Sequence, residues 1–327
     1  MAGTSQPPLV PAEVTPPPAG GEHRGVAQNR RVRRLTGRDR IVVLLMLVIP
    51  LVLTIGLVWL PAIATVFLSF TSWNGIGGLS TIKWVGTTNY ENVLTVYPPF
   101  WPAVRHNLLW LVVLFLLATP LGIFLAVLID KGLRGTRFYQ SSLFLPVVLS
   151  LALVGFIWQL QYSQDFGFLN YVLQGLHIIK DPIDWYGDER VNIYAVLVAV
   201  TWKHVGYIML LYLAGLKGVD PSLREAAEVD GATEVQTFFR IVFPVMRPIN
   251  IIVLVITVIE SLRAFDIVWV INGGRNGLEV LGALVTQNIV GEASRIGFGS
   301  ALATIMLVIS LVFIVIYLST VMREEER

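Results

Sequence analysis

The sequence contains no cysteine, which excludes disulfide frameworks, thiolate metal sites and cysteine nucleophiles and leaves the redox compartment unmarked. Charge is scarce: Asp, Glu, Lys and Arg make up 14% of the residues, against about 25% in a soluble domain. No Gly-x-x-x-x-Gly-Lys-Ser/Thr stretch occurs, so there is no P-loop to cradle nucleotide phosphates. A Gly-x-Ser-x-Gly elbow is also absent, which removes the usual serine hydrolase signature. The four histidines, His23, His106, His177 and His204, are scattered without an i, i+4 pair or a carboxylate cluster, so neither a catalytic metal nor an enzymatic activity is expected. What the chain has instead is apolar: 55% of residues are hydrophobic and the mean hydropathy is +0.69, far from a chain that buries one core in water.

A membrane-crossing helix needs about 20 mostly apolar residues for roughly 30 Å of hydrocarbon, because unpaired backbone groups cannot be left in lipid. Six stretches qualify, near residues 41–70, 108–129, 142–160, 193–216, 249–271 and 301–321. The third is the shortest and holds Pro146, and the fifth carries charges. Ahead of the first lies a Pro/Gly/Ala-rich segment expected to be disordered, then Arg24, Arg30, Arg31, Arg33, Arg34, Arg38 and Arg40. Such a basic cluster beside an apolar helix stays in the cytoplasm. The apolar run is too long for a signal peptide and lacks a small-residue cleavage site, so it reads as a retained first helix. Two later loops agree: Lys131, Arg134 and Arg137 follow the second stretch, and the acidic 162–190 loop suits the outside. Six crossings return the C-terminus to the cytoplasm.

Between the fourth and fifth stretches lies "EAAEVDGATEVQTFFRIVFPVMRP", residues 225–248. Asp220 before Pro221 is a helix-start signal. From there Leu223, Ala227, Gly231, Val235, Phe238, Phe239 and Val242 recur at helical spacing, with charges mostly elsewhere. Gly231 in an unbroken helix costs about 1 kcal/mol against alanine; a turn between two short helices uses it better. Pro244 should stop the second piece and Pro248 open the fifth membrane helix. Amphipathicity alone fits an interfacial helix as well as a docking element for a cytoplasmic partner.

The residue pattern closely resembles the EAA loop of permease subunits of binding-protein-dependent ABC importers. Glu225, Ala226, Ala227, Asp230, Gly231, Ala232, Ile241 and Pro244 match, with Phe243 in place of the usual Leu. In that family the loop forms two short helices that fit a cleft on an ATP-hydrolysing subunit and transmit its closure to the membrane helices. Four further stretches, "LSFTSW" (68–73), "VGTTNYENVL" (85–94), "RAFDIVWVINGG" (263–274) and "GFGSALAT" (297–304), resemble the carbohydrate-importing branch related to maltose, glycerol-phosphate and raffinose permeases. The likeness runs from about residue 38 to 323. It departs at "INGGRNG", where the branch has Thr-Gly-Gly-Gly-Pro.

Glu260, Arg263 and Asp266 are spaced three apart, close enough on one helix for a chain of ion pairs. Charges at membrane depth are site candidates by default; static pairing near the outer end is the other reading. Trp202, Tyr207 and Tyr212, with Lys203 and His204 beside them, offer hydroxyls and apolar faces to a sugar path, whereas most Trp and Tyr near helix ends are interfacial anchors. The small residues Gly297, Gly299, Ser300, Ala301 and Ala303 open the sixth stretch and would let another helix approach closely.

The expectation is an all-α polytopic membrane protein with six transmembrane helices and the ABC importer permease fold. Residues 1–38 form a cytoplasmic N-terminal segment, 39–323 the membrane domain including the 220–248 coupling loop, and 324–327 a cytoplasmic tail. The resemblance implies a permease subunit of an ATP-driven sugar importer in a bacterial or archaeal plasma membrane. Its partners are a second permease subunit, an ABC ATPase dimer that holds the ATP and Mg, and an extracytoplasmic solute-binding protein seated on the 71–102 or 162–190 loops. Membrane lipid surrounds it, and nucleic acid has no part. Another small polar solute, such as glycerol phosphate or a polyamine, and an ion-coupled secondary transporter are the alternatives.

Overall fold

The computed structural model describes residues 36–132, 134–291 and 294–325. The segment expected to be disordered, and with it Arg24, Arg30, Arg31, Arg33 and Arg34, lies outside the described residues. The chain divides into two compact units, 1–55 and 56–327.

Among the described residues four helices are long and apolar enough to cross a membrane: α1 (Gly37–Leu68), α3 (Phe100–Asp130), α7 (Asn192–Gly218) and α13 (Ile296–Glu325), the last through Ile316. The short α2 (Thr88–Thr95) precedes α3. The other two expected crossings are not single straight rods. Instead of one helix over 142–160 there are α4 (Thr136–Val148) and α5 (Leu151–Gln161), bent by 105°. At 1.5 Å per residue each is about 16–20 Å long, too short to cross alone. Leu149 and Ser150 are extended, and the Ser150 side chain accepts from Leu153 N to start α5. After α6 (Phe168–Gly175) and α7 comes the loop helix α8 (Pro221–Val229). Next, Glu234–Val245, here α9, bends 78° into the segment that follows it. That segment is α10 (Arg247–Leu262), broken before α11 (Asp266–Asn272); α12 (Leu281–Ile289) completes the chain ahead of α13.

Among the described residues three helices contain a wide, π-type turn: Ile55–Trp59 in α1, Leu114–Ala118 in α3 and Phe238–Val242 in α9. Each ends two residues before a proline, Pro61, Pro120 or Pro244. A proline ring clashes with the carbonyl four residues back, and that carbonyl falls inside the widened turn every time. The extra residue per turn lets the helix run through. This is why Pro244 does not stop the second loop helix, which continues to Val245. In α3, Thr119 Oγ1 donates to the Leu114 carbonyl at 2.9 Å.

Three apolar clusters hold the larger unit. One joins α3, α5, α7 and α11 through Trp110, Val154, Val196 and Ile267. A second joins the far ends of α3 and α7 to the loop through Ala126, Ile208, Val242 and Met246. The third, at the opposite end of α3, packs α2, α12 and α13 around Val93, Phe100, Leu284 and Leu302. Here the run of small residues does what packing requires. A Cβ on Gly297 would sit 1.9 Å from the Thr71 carbonyl oxygen, so only glycine lets the chain after α1 reach the start of α13.

Candidate functional site

Asp220 accepts from Ser222 N at 2.9 Å and starts α8, with Pro221 as its first residue. This backbone donor holds the Asp220 carboxyl below the usual range. Along α8 only Ala227 is buried; Glu225, Ala226, Val229 and Asp230 are exposed, Val229 at 87%. Gly231 then takes φ +74 with nothing near an added Cβ, so the turn needs glycine for its backbone rather than for space. Ala232 is half-buried beside it. Thr233 and Gln236 form a reciprocal capping box, 3.3 Å and 2.9 Å, that starts α9. The expected two short helices and the central turn are therefore present, and the Thr-x-x-Gln signal could have located the second start.

Two oppositely directed ion pairs tie this loop to the end of α3. Arg224 Nη1 donates to Asp130 Oδ2 at 2.9 Å, and Lys131 Nζ meets Glu234 Oε2 at 2.5 Å. Lys217, at the end of α7, lies 3.9 Å from Asp130 Oδ1. Asp130 carried no signal in sequence, because its partner is 94 residues away. Under the loop, Tyr212 stacks on Phe243 with ring centroids 6.5 Å apart. Its hydroxyl donates to Asn250 Oδ1 at 2.7 Å, and Asn250 Nδ2 donates to the Phe243 carbonyl at 2.9 Å. The motif residue Ile241 is half-buried and Pro244 exposed. A cleft of about 960 Å³ lies between α3 and the loop, lined by Phe124, Val127, Arg224, Glu228, Phe238 and Phe239 among others.

The residues expected along the membrane path separate into different environments. Tyr212 belongs to the packed cluster just described and is 2% exposed. Tyr207 is half-buried against the same cluster. Trp202 meets Trp158 edge-on at 5.9 Å. Lys203 Nζ donates to the Val147 carbonyl at 3.2 Å and to the Leu149 carbonyl, which places its charge at the C-terminal end of α4 where the helix dipole favours a cation. His204 is buried, with Nε2 3.2 Å from Thr257 Oγ1. Since that hydroxyl donates to the Val253 carbonyl, Nε2 carries the proton.

The expected chain of ion pairs through Glu260, Arg263 and Asp266 does not form. All three are exposed and none pairs with another. The break between α10 and α11 takes Asp266 out of register with the other two, because Phe265 leaves helical geometry, while Arg263 caps α10 with its side chain exposed. Asn107, 3% exposed, bridges that break and the start of α12. Its Nδ2 donates to the Ser261 carbonyl at 2.7 Å and its Oδ1 accepts from Leu281 N at 2.9 Å. No cluster of three or more His, Asp or Glu placed to hold a metal occurs among the described residues.

Residues 92–323 match the family model described as binding-protein-dependent transport system inner membrane component. The chain belongs to this family. Among relatives of this transport component, the Osmoprotective compounds uptake permease protein GgtC of Synechocystis sp. is 34% identical over 76% of this chain and 88% of its own. The Xylose/arabinose import permease protein XacH of Haloferax volcanii is 31% identical over 75% and 76%, and the Trehalose/maltose transport system permease protein MalF of Thermococcus litoralis 29% over 84% and 91%. The permease fold also matches a chain from the crystal structure of a bacterial ABC transporter involved in the import of the acidic polysaccharide alginate. The TM-score is 0.75 at 21% identity, over 88% of this chain and 96% of that one.

Proposed function

We propose that this chain is one of two related permease subunits forming the translocation path of an ATP-driven sugar importer. It sits in a bacterial or archaeal plasma membrane with both termini cytoplasmic. The observation that carries the reading is the loop: an exposed two-helix element, hinged at Gly231 and latched to α3 by Asp130–Arg224 and Lys131–Glu234. Such an element presents Glu225, Ala226 and Asp230 to an ATPase subunit while its base is packed into the membrane helices. Force on α8 passes through Phe243 and Asn250 to Tyr212 on α7 and into α10. Lys131, Arg134, Arg137, Lys217 and Arg224 cluster on the connections at this end, which supports placing it in the cytoplasm. ATP and Mg are held by the partner ATPase pair, and an extracytoplasmic binding protein delivers solute to the other end.

Sugar as the solute is supported by the named relatives that import xylose and arabinose or trehalose and maltose. The relative named for osmoprotective compounds supports a second reading, another small polar solute. Purification of the tagged chain in gentle detergent, followed by mass spectrometry and liposome uptake, tests the assignment. Recovery of an ATPase and a second permease in stoichiometric amount, with uptake that needs ATP, is the expected result. Recovery of this chain alone, taking up solute in ATP-free liposomes, would replace the proposal with an ion-coupled transporter.

A further inference from the structure

At the end of the permease opposite the coupling loop lies a cavity of about 430 Å³ that the coupling mechanism does not use. Three separate pieces of chain wall it: Ser72, Trp73 and Asn74 after α1, Asn89 and Asn92 on α2, and Arg295 with Phe298 at the start of α13. All three belong to stretches that sequence reading set apart, or adjoin them. No carboxylate of the described residues lines it.

The wall is built rather than collapsed. Asn89 Nδ2 donates at 2.8 Å to both the Ser69 and Thr71 carbonyls, which fixes the segment after α1. Gly297 N donates to the Trp73 carbonyl at 2.9 Å, pinning the same segment to α13. Arg295 is held from two directions. Its Nη2 donates to Asn288 Oδ1 at 2.8 Å and its guanidinium lies 5.0 Å from the Phe298 ring centroid. Asn288 is itself buried and oriented, because its Nδ2 donates to the Tyr97 hydroxyl and the Leu284 carbonyl. A guanidinium has five N–H donors in a rigid fork that matches a carboxylate. With one arm committed to Asn288, the rest of the fork stands at a cavity walled by amides and aromatic rings, with no carboxylate among the described residues lining it.

We propose that this pocket receives an acidic side chain of the extracytoplasmic binding protein, with Arg295 as its counter-charge and Asn92 as a neighbouring amide donor. The proposal rests on the importer reading, which requires a binding protein to dock at this end. The cavity has room for one carboxylate side chain and part of the loop carrying it, and a fixed cation there attracts the partner and sets its register.

The test uses the complete importer in nanodiscs with its own binding protein, reading ATP hydrolysis against binding-protein concentration. Arg295→Gln should raise the half-saturating concentration about tenfold and flatten its salt dependence, with Arg295→Lys in between. A half-saturation within about twofold of wild type in Arg295→Gln would overturn the proposal. Because Arg295 also touches Asn288, a second arm excludes misfolding: Arg295→Asp should be rescued by reversing one Asp or Glu on the binding protein to Lys. A scan of those acids that finds no rescuing position would overturn it as well. Competition by free galacturonate in wild type but not in Arg295→Gln would assign the pocket to a sugar acid and overturn the protein ligand. If the binding protein fails to stimulate the wild-type complex at all, it is the importer reading that falls, and this proposal with it.

Discussion

Arg224 donates to Asp130 at 2.9 Å, joining the exposed loop helix α8 to the last residue of α3. The Asp130 side chain is only 13% exposed, and Lys217 lies 3.9 Å from its other oxygen. The neighbouring Lys131–Glu234 pair has the opposite polarity and is open to solvent, its side chains 46% and 80% exposed. The two latches should therefore differ in worth. Asp130→Asn is expected to cost about 1.5–3 kcal/mol, the range for a hydrogen bond to a charged group, and Lys131→Ala no more than about 1 kcal/mol. Thermal denaturation of the purified complex measures both. Equal losses would mean that burial does not set the strength of the latch.

Gly231 separates α8 from α9 at φ +74. An L-residue in that region costs about 1–2 kcal/mol, and a β-branched one is a genuine outlier. Gly231→Val should let ATP hydrolysis continue in the assembled complex while uptake falls severalfold. Gly231→Asn should be much milder, since Asn tolerates this conformation. Glu225→Lys, on an exposed position, should give the same uncoupling with no loss of thermal stability. Normal coupled uptake in both Gly231→Val and Glu225→Lys would remove the loop from the coupling path.

The cap at Asp220 makes a pH prediction with a definite sign. Ser222 N holds the carboxyl pKa below its unfolded value, so the cap stabilises at pH above about 4 and is lost as pH falls through the lowered folded value. Wild type should thus melt higher than Asp220→Ala from about pH 8 down to pH 5, and its advantage should shrink toward that of Asp220→Asn only as pH falls through the lowered folded value. Asp220→Asn, which caps without a charge, should not converge with Asp220→Ala. A wild-type advantage that grows on acidification would contradict the depressed pKa.

Local signals carried much of this structure in the sequence. Asp220–Pro221 starts α8, Gly231 turns, and the apolar runs place α1, α7 and α13 within about five residues, while α3 begins at Phe100, eight residues before the run that marks it. What failed was the assumption that an apolar run is one straight rod. Ser150 is a cap inside the third run, and Arg263 to Phe265 break the fifth, with Lys203 and Asn107 on other helices donating to backbone carbonyls at the two breaks. Those partners lie 54 to 56 and 154 residues away in sequence, so no window along the chain contains them. The π-type turns were hidden for a different reason. A proline signals a stop, and only the three-dimensional packing shows that the helix widens and continues past Pro61, Pro120 and Pro244.

Lys203 ends α4 by donating to the Val147 and Leu149 carbonyls. If this charge positions the bend between α4 and α5, then Lys203→Met should lower thermal stability by about 2–4 kcal/mol, the sum of a lost charge–dipole term and a lost charged hydrogen bond. Lys203→Arg, which keeps donors and charge, should restore most of it. Solute affinity measured separately discriminates the alternative. A large affinity loss in Lys203→Arg with normal stability would make the ammonium a solute contact instead.

Tyr212 and Glu260 were both candidates for the solute path, and their surroundings now separate them. Tyr212 is 2% exposed, stacked on Phe243 and bonded to Asn250, whereas Glu260 is exposed beside a helix break. Tyr212→Phe leaves the ring packing intact and strips one partner from Asn250, a cost of about 1–2 kcal/mol. It should weaken coupling between ATP hydrolysis and uptake while leaving solute affinity unchanged. Glu260→Ala removes no packed contact, so its stability should stay within about 0.5 kcal/mol of wild type, and a role in the solute path would show as a loss of affinity. If Tyr212→Phe lowers affinity and Glu260→Ala does not, the path runs along the side of α7 that the structure shows filled, and those helices must separate there during transport.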